Sequence, residues 1–469
     1  MNQWIWAFIF FLTSLSASAN FITLEDVLKS TDKHYPDIQR ALIEIESAEQ
    51  DRIAKQGYFD TKLGMDGYSR EEGYYSGDFI KVNLKKNLPV YGIKVYSGYK
   101  ISDGDFPAYE GEMETLDNGE FSAGFSIPLL RNREIDKSRL DVALADNKID
   151  KSKIKVLQKQ IDVREKAMKA YWTWLATGKV MDIYQRLFDI ANKRQTALEK
   201  KHKRGDVAKI YLSENMQYIL KRQNKLLEAQ NYFQNAARNL ALFYRDNEGK
   251  PVIPTKENLK KSFLFEEASK EHKYREFIDG IIQNHPDVQS IENKMRMFKL
   301  LEKGAETDML PLLDFGFEVR KDTGLGSKSL AGEDRRFMFT FSLPFENRKA
   351  KGSLQSARIM QRSIAYKKQL LQEKLDINLK NLIDTIDTNV QVFNNGQQEV
   401  KLAEKLEKAE QTKFFQGDSD FFVVNLREQM TAEAQIKNIM SALKVNKFKA
   451  QFQSVILQSE VREKFDKIN

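Results

Sequence analysis

The residue types that most often carry chemistry are few in this chain, and their spacing matches no catalytic or metal-binding motif. Its four histidines, His34, His202, His272 and His285, lack the HExxH spacing that brings two imidazoles to one metal ion. The stretch TGLGSKS at residues 323–329 suggests a phosphate loop, but it lacks the GxxxxGK[ST] spacing and lies between two predicted strands. No Ser-His-Asp or paired-carboxylate arrangement is recognisable, so we predict no catalytic residue, no cofactor and no metal site.

The composition excludes several classes of protein. Charged residues make up 30% of the 469 residues and apolar residues 41%, which is too polar for a bundle of membrane-spanning helices. The net charge is +8, but lysine and glutamate alternate along the predicted helices instead of forming one basic face, so we expect no nucleic-acid partner. Because there is no cysteine, burial or oligomerisation must stabilise the fold in place of disulfides.

The first residues have the character of a secretory signal peptide. The apolar run WIWAFIFFL at residues 4–12 is followed by small residues that end in Ala17-Ser18-Ala19, although no lysine or arginine precedes it. A membrane anchor is the weaker alternative, because a helix needs about 20 apolar residues to cross a hydrocarbon core about 30 Å thick. We therefore predict a signal peptide at residues 1–19.

A five-residue pattern occurs twice, as YPDIQ at residues 35–39 and as HPDVQ at residues 285–289. Proline suits the first position of a helix, where its missing N–H would have no partner, and the following aspartate favours the positive end of the helix dipole. Because the same order of elements follows each copy, we predict an internal duplication. The predicted parts are repeat 1 at residues 20–244, a linker at 245–270, repeat 2 at 271–456 and a tail at 457–469.

Both repeats contain segments in which apolar and polar side chains alternate. In RFMFTFSLPF, the side chains of Phe337, Phe339 and Phe341 share one face. This period of two predicts strands within residues 59–128 and 312–343. One face is rich in aromatic residues and the other is small or charged, which is typical of a barrel wall with lipid outside and water inside. The alternative is a sheet packed on a soluble core.

The number of strands decides how such a wall could close. We predict four strands per chain, or six if an additional alternating pair within residues 79–102 is a second membrane hairpin rather than an extracellular flap. Small membrane barrels need about eight strands, and an open edge cannot stay unpaired in lipid. We therefore predict that three copies complete one barrel of twelve or eighteen strands.

Long helices are predicted to follow the strands. The motifs SIPLLRNR and SLPFENR place Pro128 and Pro344 where strands give way to helices, since proline neither donates to a sheet nor continues a helix interior. The helices at about 134–203 and 349–415 contain no proline and would be on the order of 100 Å long.

Each long helix ends at a glycine turn, and a shorter helix returns. The turns contain Gly205 and Gly417, and the return helices are predicted at about 209–244 and 421–456. The opening and return helices of a repeat, placed end to end, nearly match the long helix. The helices would then close into a hollow coiled-coil barrel.

Together these patterns resemble the TolC-like outer-membrane channel family over essentially all of the mature sequence. The order, spacing and duplication of the motifs carry the resemblance: the two Pro-Asp elements, the two proline junctions, AYWTWL at residues 170–175 and the two glycine turns. The implied fold is an α+β membrane protein. It is a trimeric β-barrel with four or six strands per chain, continued by a long periplasmic α-helical coiled-coil barrel, with an internal duplication.

The resemblance also implies a function and partners. It implies the passive exit duct of a tripartite efflux pump or type I secretion system, a homotrimer that works with an inner-membrane pump and a periplasmic adaptor protein. The chain would lie in the outer-membrane lipid of a Gram-negative-type bacterium, with a large periplasmic part. The alternatives are an exported coiled-coil scaffold or adhesin without a transport role and, less favoured, a periplasmic enzyme.

By position in the family, the glycine turns would be periplasmic tips, where helices taper to a gate and contact the adaptor. The residues assigned to the tips are Arg204, Gly205, Asp206, Gly417, Asp418 and Asp420. The first three read RGD, but an adhesion role is the less favoured interpretation. The basic run at residues 200–206 is interpreted as a solvated face that could contact an acidic adaptor.

The predicted gate departs from the family pattern. At the positions where family tips often carry a carboxylate, this chain has Ile210 and Phe422. We assign the candidate gate to these two residues together with Tyr211 and Phe421, and expect an apolar gate that closes partly by dewetting. The alternative is that the phenylalanines pack between helices.

Overall fold

The structure is a computed structural model that describes residues 21–73, 75–107, 110–259 and 271–456. The chain divides into two compact units. Unit 1 takes its described residues from the ranges 1–39, 159–282 and 375–469, and unit 2 from 40–158 and 283–374. Each unit therefore combines segments of both predicted repeats, and the repeat boundaries do not delimit compact bodies. The predicted signal peptide and C-terminal tail lie outside the described residues.

The architecture is mixed α+β, mostly helical with one antiparallel sheet, as the sequence predicts. The helices are α1 (Leu24–His34), α2 (Pro36–Gln56), α3 (Lys137–Lys203), α4 (Lys209–Ala241), α5 (Ile278–Gln283), α6 (Pro286–Asp308), α7 (Arg348–Gln416) and α8 (Phe421–Ile456). The strands are β1 (Lys62–Arg70), β2 (Gly77–Asn87), β3 (Lys94–Gly104), β4 (Glu120–Pro128), β5 (Leu312–Asp322) and β6 (Glu333–Ser342). Short 3-10 segments lie at Gly57–Phe59, Lys256–Asn258, Glu271–Phe277 and Lys328–Leu330.

Both Pro-Asp elements begin a helix. The extended backbone of Tyr35 separates α1 from α2, which begins at Pro36. Before α6, His285 caps the helix, because its Nδ1 accepts a hydrogen bond from the Asp287 backbone N–H at 3.1 Å. Burial lowers the pKa of His285, which keeps this nitrogen unprotonated and able to accept. Proline and the cap together define where the helix starts.

The core of unit 1 is a cluster of aromatic and aliphatic side chains from α1, α3, α4 and their flanking residues. Trp174 of α3 has no exposed surface and stacks on Phe233 of α4, with ring centroids 6.4 Å apart. Tyr171 donates a hydrogen bond to the carbonyl of Ile22 at 3.2 Å, which fixes the segment before α1. Side chains buried in this way stabilise the packing of the helices through the hydrophobic effect.

In unit 2, polar contacts join the helices that flank the sheet. Asn147 of α3 and Asn293 of α6 are buried and exchange two hydrogen bonds, each from a side-chain amide to the other residue's carbonyl at 3.1 Å. Arg358 of α7 donates to Glu302 at 2.7 Å and to Glu306 at 2.9 Å, both on α6. These contacts position α3, α6 and α7 beside one another within the unit.

The sheet belongs entirely to unit 2 and has the strand order β1-β2-β3-β4-β5-β6, with every neighbouring pair antiparallel. The additional alternating pair of the first repeat forms β2 and β3 and lies between β1 and β4. The described residues therefore form one sheet of six strands, rather than four. The pairing of β4 with β5 joins the strands of the two predicted repeats.

Candidate functional site

One face of the sheet, called the apolar face below, carries apolar side chains on every strand, and the strand register aligns them. Two of the aligned rows are Met65–Val82–Tyr99–Phe121 and Val95–Phe125–Phe317–Phe337. The aromatic rings contact their neighbours across strands, with centroids 5.0 Å apart for Phe317 and Phe337 and 5.3 Å apart for Phe315 and Phe339. Such cross-strand aromatic pairs stabilise a sheet.

The side chains of the apolar face are open to the surroundings of the single chain. Leu63 is 71% exposed, Met65 69%, Phe337 64%, Phe339 71% and Phe341 65%. Soluble monomers rarely expose so large a continuous apolar patch. Removing apolar surface from water stabilises a protein by about 25 cal/mol for each Å² that is buried. The face therefore needs an apolar environment outside the chain.

The charged residues of the apolar face lie near the strand ends. They are Asp78, Lys86, Asp103, Lys321, Glu333 and Arg335. The middle of the face is thereby free of charge, while its margins are polar. This distribution is typical of a wall that crosses a hydrocarbon layer between two aqueous interfaces.

The opposite face, called the polar face below, carries small and charged side chains. Lys62 and Lys85 face each other directly, as do Lys81 and Lys100. Like charges placed opposite one another repel, and only water or a counter-charge relieves the repulsion. Lys100 has such a counter-charge, since its Nζ lies 3.4 Å from Glu120. The polar face is therefore built to contact water.

The two edges of the sheet are unpaired in the described residues. β1 pairs only with β2, and β6 pairs only with β5. Each edge presents a row of backbone N–H and C=O groups without strand partners. Such an edge is a template for pairing with another strand, and it is costly to bury in an apolar medium.

The predicted proline junctions both lie at strand ends. Pro128 is buried as the last residue of β4, opposite Asp314 of β5. Pro344 is exposed and follows β6. After Pro128, the Asp136 carboxylate accepts hydrogen bonds at 2.9 Å from the backbone N–H groups of Ser138 and Arg139 and so caps the start of α3.

The predicted tip residues lie in two exposed turns of unit 1. Gly205 (φ +84°) joins α3 to α4 and Gly417 (φ +88°) joins α7 to α8, and both need the left-handed conformation that glycine adopts without strain. Arg204, Asp206, Asp418 and Asp420 are all exposed. Asp420 has an additional structural role, because its Oδ1 accepts a hydrogen bond from the Val423 N–H at 3.0 Å and caps α8.

The four candidate gate residues divide into two groups. Ile210, Tyr211 and Phe422 are exposed, whereas Phe421 is 4% exposed. The Phe421 ring lies 6.2 Å from the ring of Tyr218 and 5.4 Å beneath the guanidinium of Arg194. The Phe421 ring therefore packs between helices, as the alternative interpretation expects for it, and a role of this residue in gating stays a prediction. Phe422 retains the exposure that a gate residue needs.

A buried ionic cluster beside Phe421 was not predicted from the sequence. Glu428 of α8 has a fully buried side chain and pairs with Arg222 of α4 at 2.9 Å and with Arg194 of α3. Asn425 accepts a hydrogen bond from Arg194 at 2.7 Å, and Arg222 donates another to the Leu187 carbonyl at 2.9 Å. A buried carboxylate needs such complete pairing, because burying an unpaired charge is costly.

The cluster joins α8 to α3 and α4, which are far from it in sequence. Arg194 and Glu428 are separated by 234 positions, and no local motif relates them. In the sequence each is one charge among many on a long helix. The only local signal is the one-turn spacing of Phe421, Asn425 and Glu428 on α8, which places them on one helix face.

Among the described residues, no group of three or more His, Asp or Glu side chains is placed to hold a metal ion. His202 is exposed, and its Nδ1 lies 2.9 Å from the Val207 carbonyl in the first turn. Within the same described ranges, none of the helices combines the length and the apolar character required to span a membrane.

The chain resembles known proteins in its fold and not in its sequence. No protein-family model matches the chain, and no curated protein is similar to it in sequence. Solved structures do share its fold. The outer membrane protein VceC from Vibrio cholerae superposes with a TM-score of 0.63 over 92% of this chain and 95% of VceC, at 12% identity.

Two further structures give the same result. The MtrE outer membrane channel of Neisseria gonorrhoeae has a TM-score of 0.63 over 92% of this chain and 88% of its own, and the Campylobacter jejuni CmeC outer membrane channel has 0.60 over 95% and 88%, both at 12% identity. The mixed α+β fold of the single chain, mostly helical with one antiparallel sheet, therefore matches the folds of solved outer-membrane channels, as the resemblance to the TolC-like family predicts.

Proposed function

We propose that three copies of this chain form an outer-membrane exit duct through which solutes or proteins leave the cell passively. The observation that carries the proposal is the six-stranded sheet with one continuous apolar face and two unpaired edges. In the proposed assembly the apolar face contacts lipid and the polar face lines a water-filled lumen. The fold shared with solved outer-membrane channels supports this assignment.

The edges of the sheet support the proposed oligomer. In lipid, β1 and β6 need partners for their backbone groups, and a single chain of six strands is too short to close on itself, since the smallest membrane barrels have about eight strands. Pairing β6 of one copy with β1 of the next satisfies both edges. Three copies of six strands give an eighteen-stranded barrel.

We further propose that the helices of the three copies form a periplasmic coiled-coil barrel and that the two repeats arose by internal duplication. The glycine turns would lie at its tips and contact a periplasmic adaptor protein through Arg204, Asp206, Asp418 and Asp420. Their exposure leaves them free for such a contact. An inner-membrane pump, in an efflux or type I secretion system, would then supply the energy.

The proposed gate consists of the exposed apolar residues near the tips, Ile210, Tyr211 and Phe422. Rings of apolar side chains can close a narrow passage to ions because water leaves the constriction. The buried cluster of Arg194, Arg222 and Glu428 supports this arrangement, since it holds α3, α4 and α8 together close to Phe422.

The proposal is tested by expressing the full chain with its signal peptide and fractionating the cells. We expect the protein in the outer-membrane fraction, extractable only with detergent, and as a trimer that resists dissociation on unheated SDS gels. Purified trimers should also give stable channels in planar bilayers. A protein recovered as a monomer without detergent would refute the duct and favour the scaffold alternative.

A further inference from the structure

The segment between β3 and β4 lies across the polar face of the sheet. Its described residues are 105–107 and 110–119. A connection at the end of two strands normally extends beyond the sheet, but this one returns over it. If the polar face lines the lumen, as in the proposed function on which this inference depends, the segment lies inside the duct. It is called the strap below.

The first half of the strap contacts β1 and β2. The Glu110 carboxylate accepts hydrogen bonds from the hydroxyl of Tyr68 on β1, at 3.1 Å, and from that of Tyr75. The Phe106 ring lies against Gly77 of β2, where an added Cβ would be 3.0 Å from the ring carbon Cζ. Glycine at this position leaves room for the aromatic ring beside the strand.

The second half of the strap contacts β3. The Lys100 ammonium donates a hydrogen bond to the Glu112 carbonyl at 2.5 Å, and the Ser102 backbone N–H donates one to the Thr115 hydroxyl at 3.0 Å. Lys100 is only 5% exposed, so the strap covers it together with Glu120. A buried lysine that satisfies a backbone carbonyl fixes the path of that backbone.

The strap also reaches the far side of the sheet. The Leu116 backbone N–H donates to the Asp322 carboxylate of β5 at 3.1 Å, and Arg336 of β6 donates to the Glu112 carboxylate at 3.0 Å. The Leu116 side chain is 4% exposed and lies against Gly326. The strap is therefore anchored from β1 to β6, over the whole width of the sheet.

The register shows which face the strap covers. Lys100 faces Lys81, Ser102 faces Phe79, Asp322 faces Glu120 and Arg336 faces Glu318, and all of these positions belong to the polar face. Phe79, an aromatic residue on this otherwise polar face, is 8% exposed and lies 5.2 Å from the Tyr68 ring.

We propose that the strap is an internal constriction of the duct, and that it sets the largest solute that can pass the barrel. Each of the three copies would place one strap across its own part of the wall. Pore diameter and lining determine both conductance and selectivity in a water-filled channel. The strap would therefore limit passage within the barrel, independently of any gate at the glycine turns.

The test compares two double variants of the full-length protein in planar bilayers. Lys100→Met with Arg336→Gln removes two strap anchors on the polar face. Lys86→Met with Arg335→Gln removes the same types of charge from the apolar face. We expect the first variant to raise single-channel conductance about twofold and to admit larger polyethylene glycols, and the control to match the wild type.

A cysteine pair tests the position of the strap without weakening the fold. The Ser102 and Thr115 hydroxyl oxygens are 3.3 Å apart, and the chain has no other cysteine. In Ser102→Cys with Thr115→Cys we expect a disulfide to form in isolated membranes, with conductance equal to that of the wild type. Free thiols after oxidation would place the strap elsewhere and overturn the proposal.

The outcomes separate this inference from the proposed function. A wild-type protein that forms no channels would refute the duct itself. Wild-type channels whose conductance and polymer cut-off are unchanged in the anchor variant would refute only the constriction. A rise in conductance in both double variants would also refute it, because the effect would then come from lost charge rather than from the strap.

Discussion

The helical core of unit 1 and the sheet of unit 2 use aromatic side chains in opposite ways. Trp174 and Phe233 in unit 1 are 0% and 7% exposed and pack against each other. Phe337, Phe339 and Phe341 on the sheet are more than half exposed. The first set stabilises the chain from within, whereas the second can contribute through burial only when something outside the chain covers it.

The two regions also differ in how they treat charge. Unit 1 buries the Glu428 carboxylate completely and surrounds it with two arginines. The sheet keeps the middle of its apolar face free of charge and places most of its lysines on the polar face. Unit 1 therefore buries its aromatic rings and its charge within the chain, whereas the apolar face of the sheet stays exposed for the lipid contact proposed above.

Truncating one aromatic residue in each region should give the largest difference in the free energy of unfolding. Trp174→Ala should lower the free energy of unfolding by about 3–5 kcal/mol, because it leaves a cavity in the core of unit 1. Phe339→Ala should change the stability of the detergent-solubilised helices very little. Guanidinium unfolding followed by helical circular dichroism measures both. Equal losses for the two variants would remove the distinction between the regions.

Removing the buried charge of Glu428 should lower the free energy of unfolding by a similar amount. Glu428→Gln leaves Arg194 and Arg222 without a counter-charge, and we expect a loss of about 3–5 kcal/mol. Glu433→Gln, an exposed position on the same helix, is the control and should change stability by less than about 0.5 kcal/mol. The same unfolding measurement applies. A Glu428 variant as stable as the control would show that the cluster does not hold α3, α4 and α8 together.

A charge placed on either face of β6 tests the assignment of the two faces of the sheet. Phe339→Arg puts a cation on the proposed lipid face and should cost about 2–4 kcal/mol near the bilayer midplane. Thr340→Arg places it on the polar face, opposite Asp314, and should be tolerated. The yield of heat-resistant trimers in outer membranes reports the difference. Similar yields for both variants would contradict the assignment of the faces.

The two neighbouring phenylalanines at the start of α8 separate packing from gating. Phe422→Ser should raise single-channel conductance with little change in stability, because its ring is exposed near the turn. Phe421→Ser should instead destabilise the helix packing, because its ring is buried beside Tyr218 and Arg194. Bilayer recordings and thermal unfolding of each variant distinguish them. Unchanged conductance in the Phe422 variant would assign the gate elsewhere.

The smallest expected effect concerns the second glycine turn. Asp420→Ala removes the side-chain cap of α8 and should cost about 1 kcal/mol of stability. Asp418→Ala, in the same exposed turn, makes no such cap and should be close to neutral. Thermal unfolding of both variants provides the measurement. If the two losses are the same, Asp420 does not act as a cap.

Local patterns were sufficient to predict the elements of this fold. The alternation around Phe339 follows from the geometry of a strand, in which successive side chains point to opposite faces. The helix starts at Pro36 and Pro286 follow from the properties of proline and the helix dipole. Glycine at positions 205 and 417 marks turns because both adopt positive φ. Each of these signals lies within a few residues.

Features that depend on distant contacts could not be predicted in the same way. The Arg194–Glu428 pair, the Arg336–Glu112 contact and the burial of Phe421 all join elements that no local pattern relates. The additional pair β2 and β3 was recognised as strands, but its place between β1 and β4 depends on tertiary pairing. The strap over the polar face has no sequence signature, because its anchors lie on five different strands and on the loops beside them.

Whether the sheet separates lipid from water can be measured through the environment of successive residues along β6 in the membrane-embedded protein. Because the chain has no cysteine, single cysteines at positions 337–341 can each carry a spin label. We expect molecular oxygen, which concentrates in lipid, to accelerate the spin relaxation of labels at 337, 339 and 341 most strongly. A water-soluble nickel complex should instead accelerate the relaxation of labels at 338 and 340. Uniform access of the nickel complex to all five positions would contradict a sheet that separates lipid from a lumen.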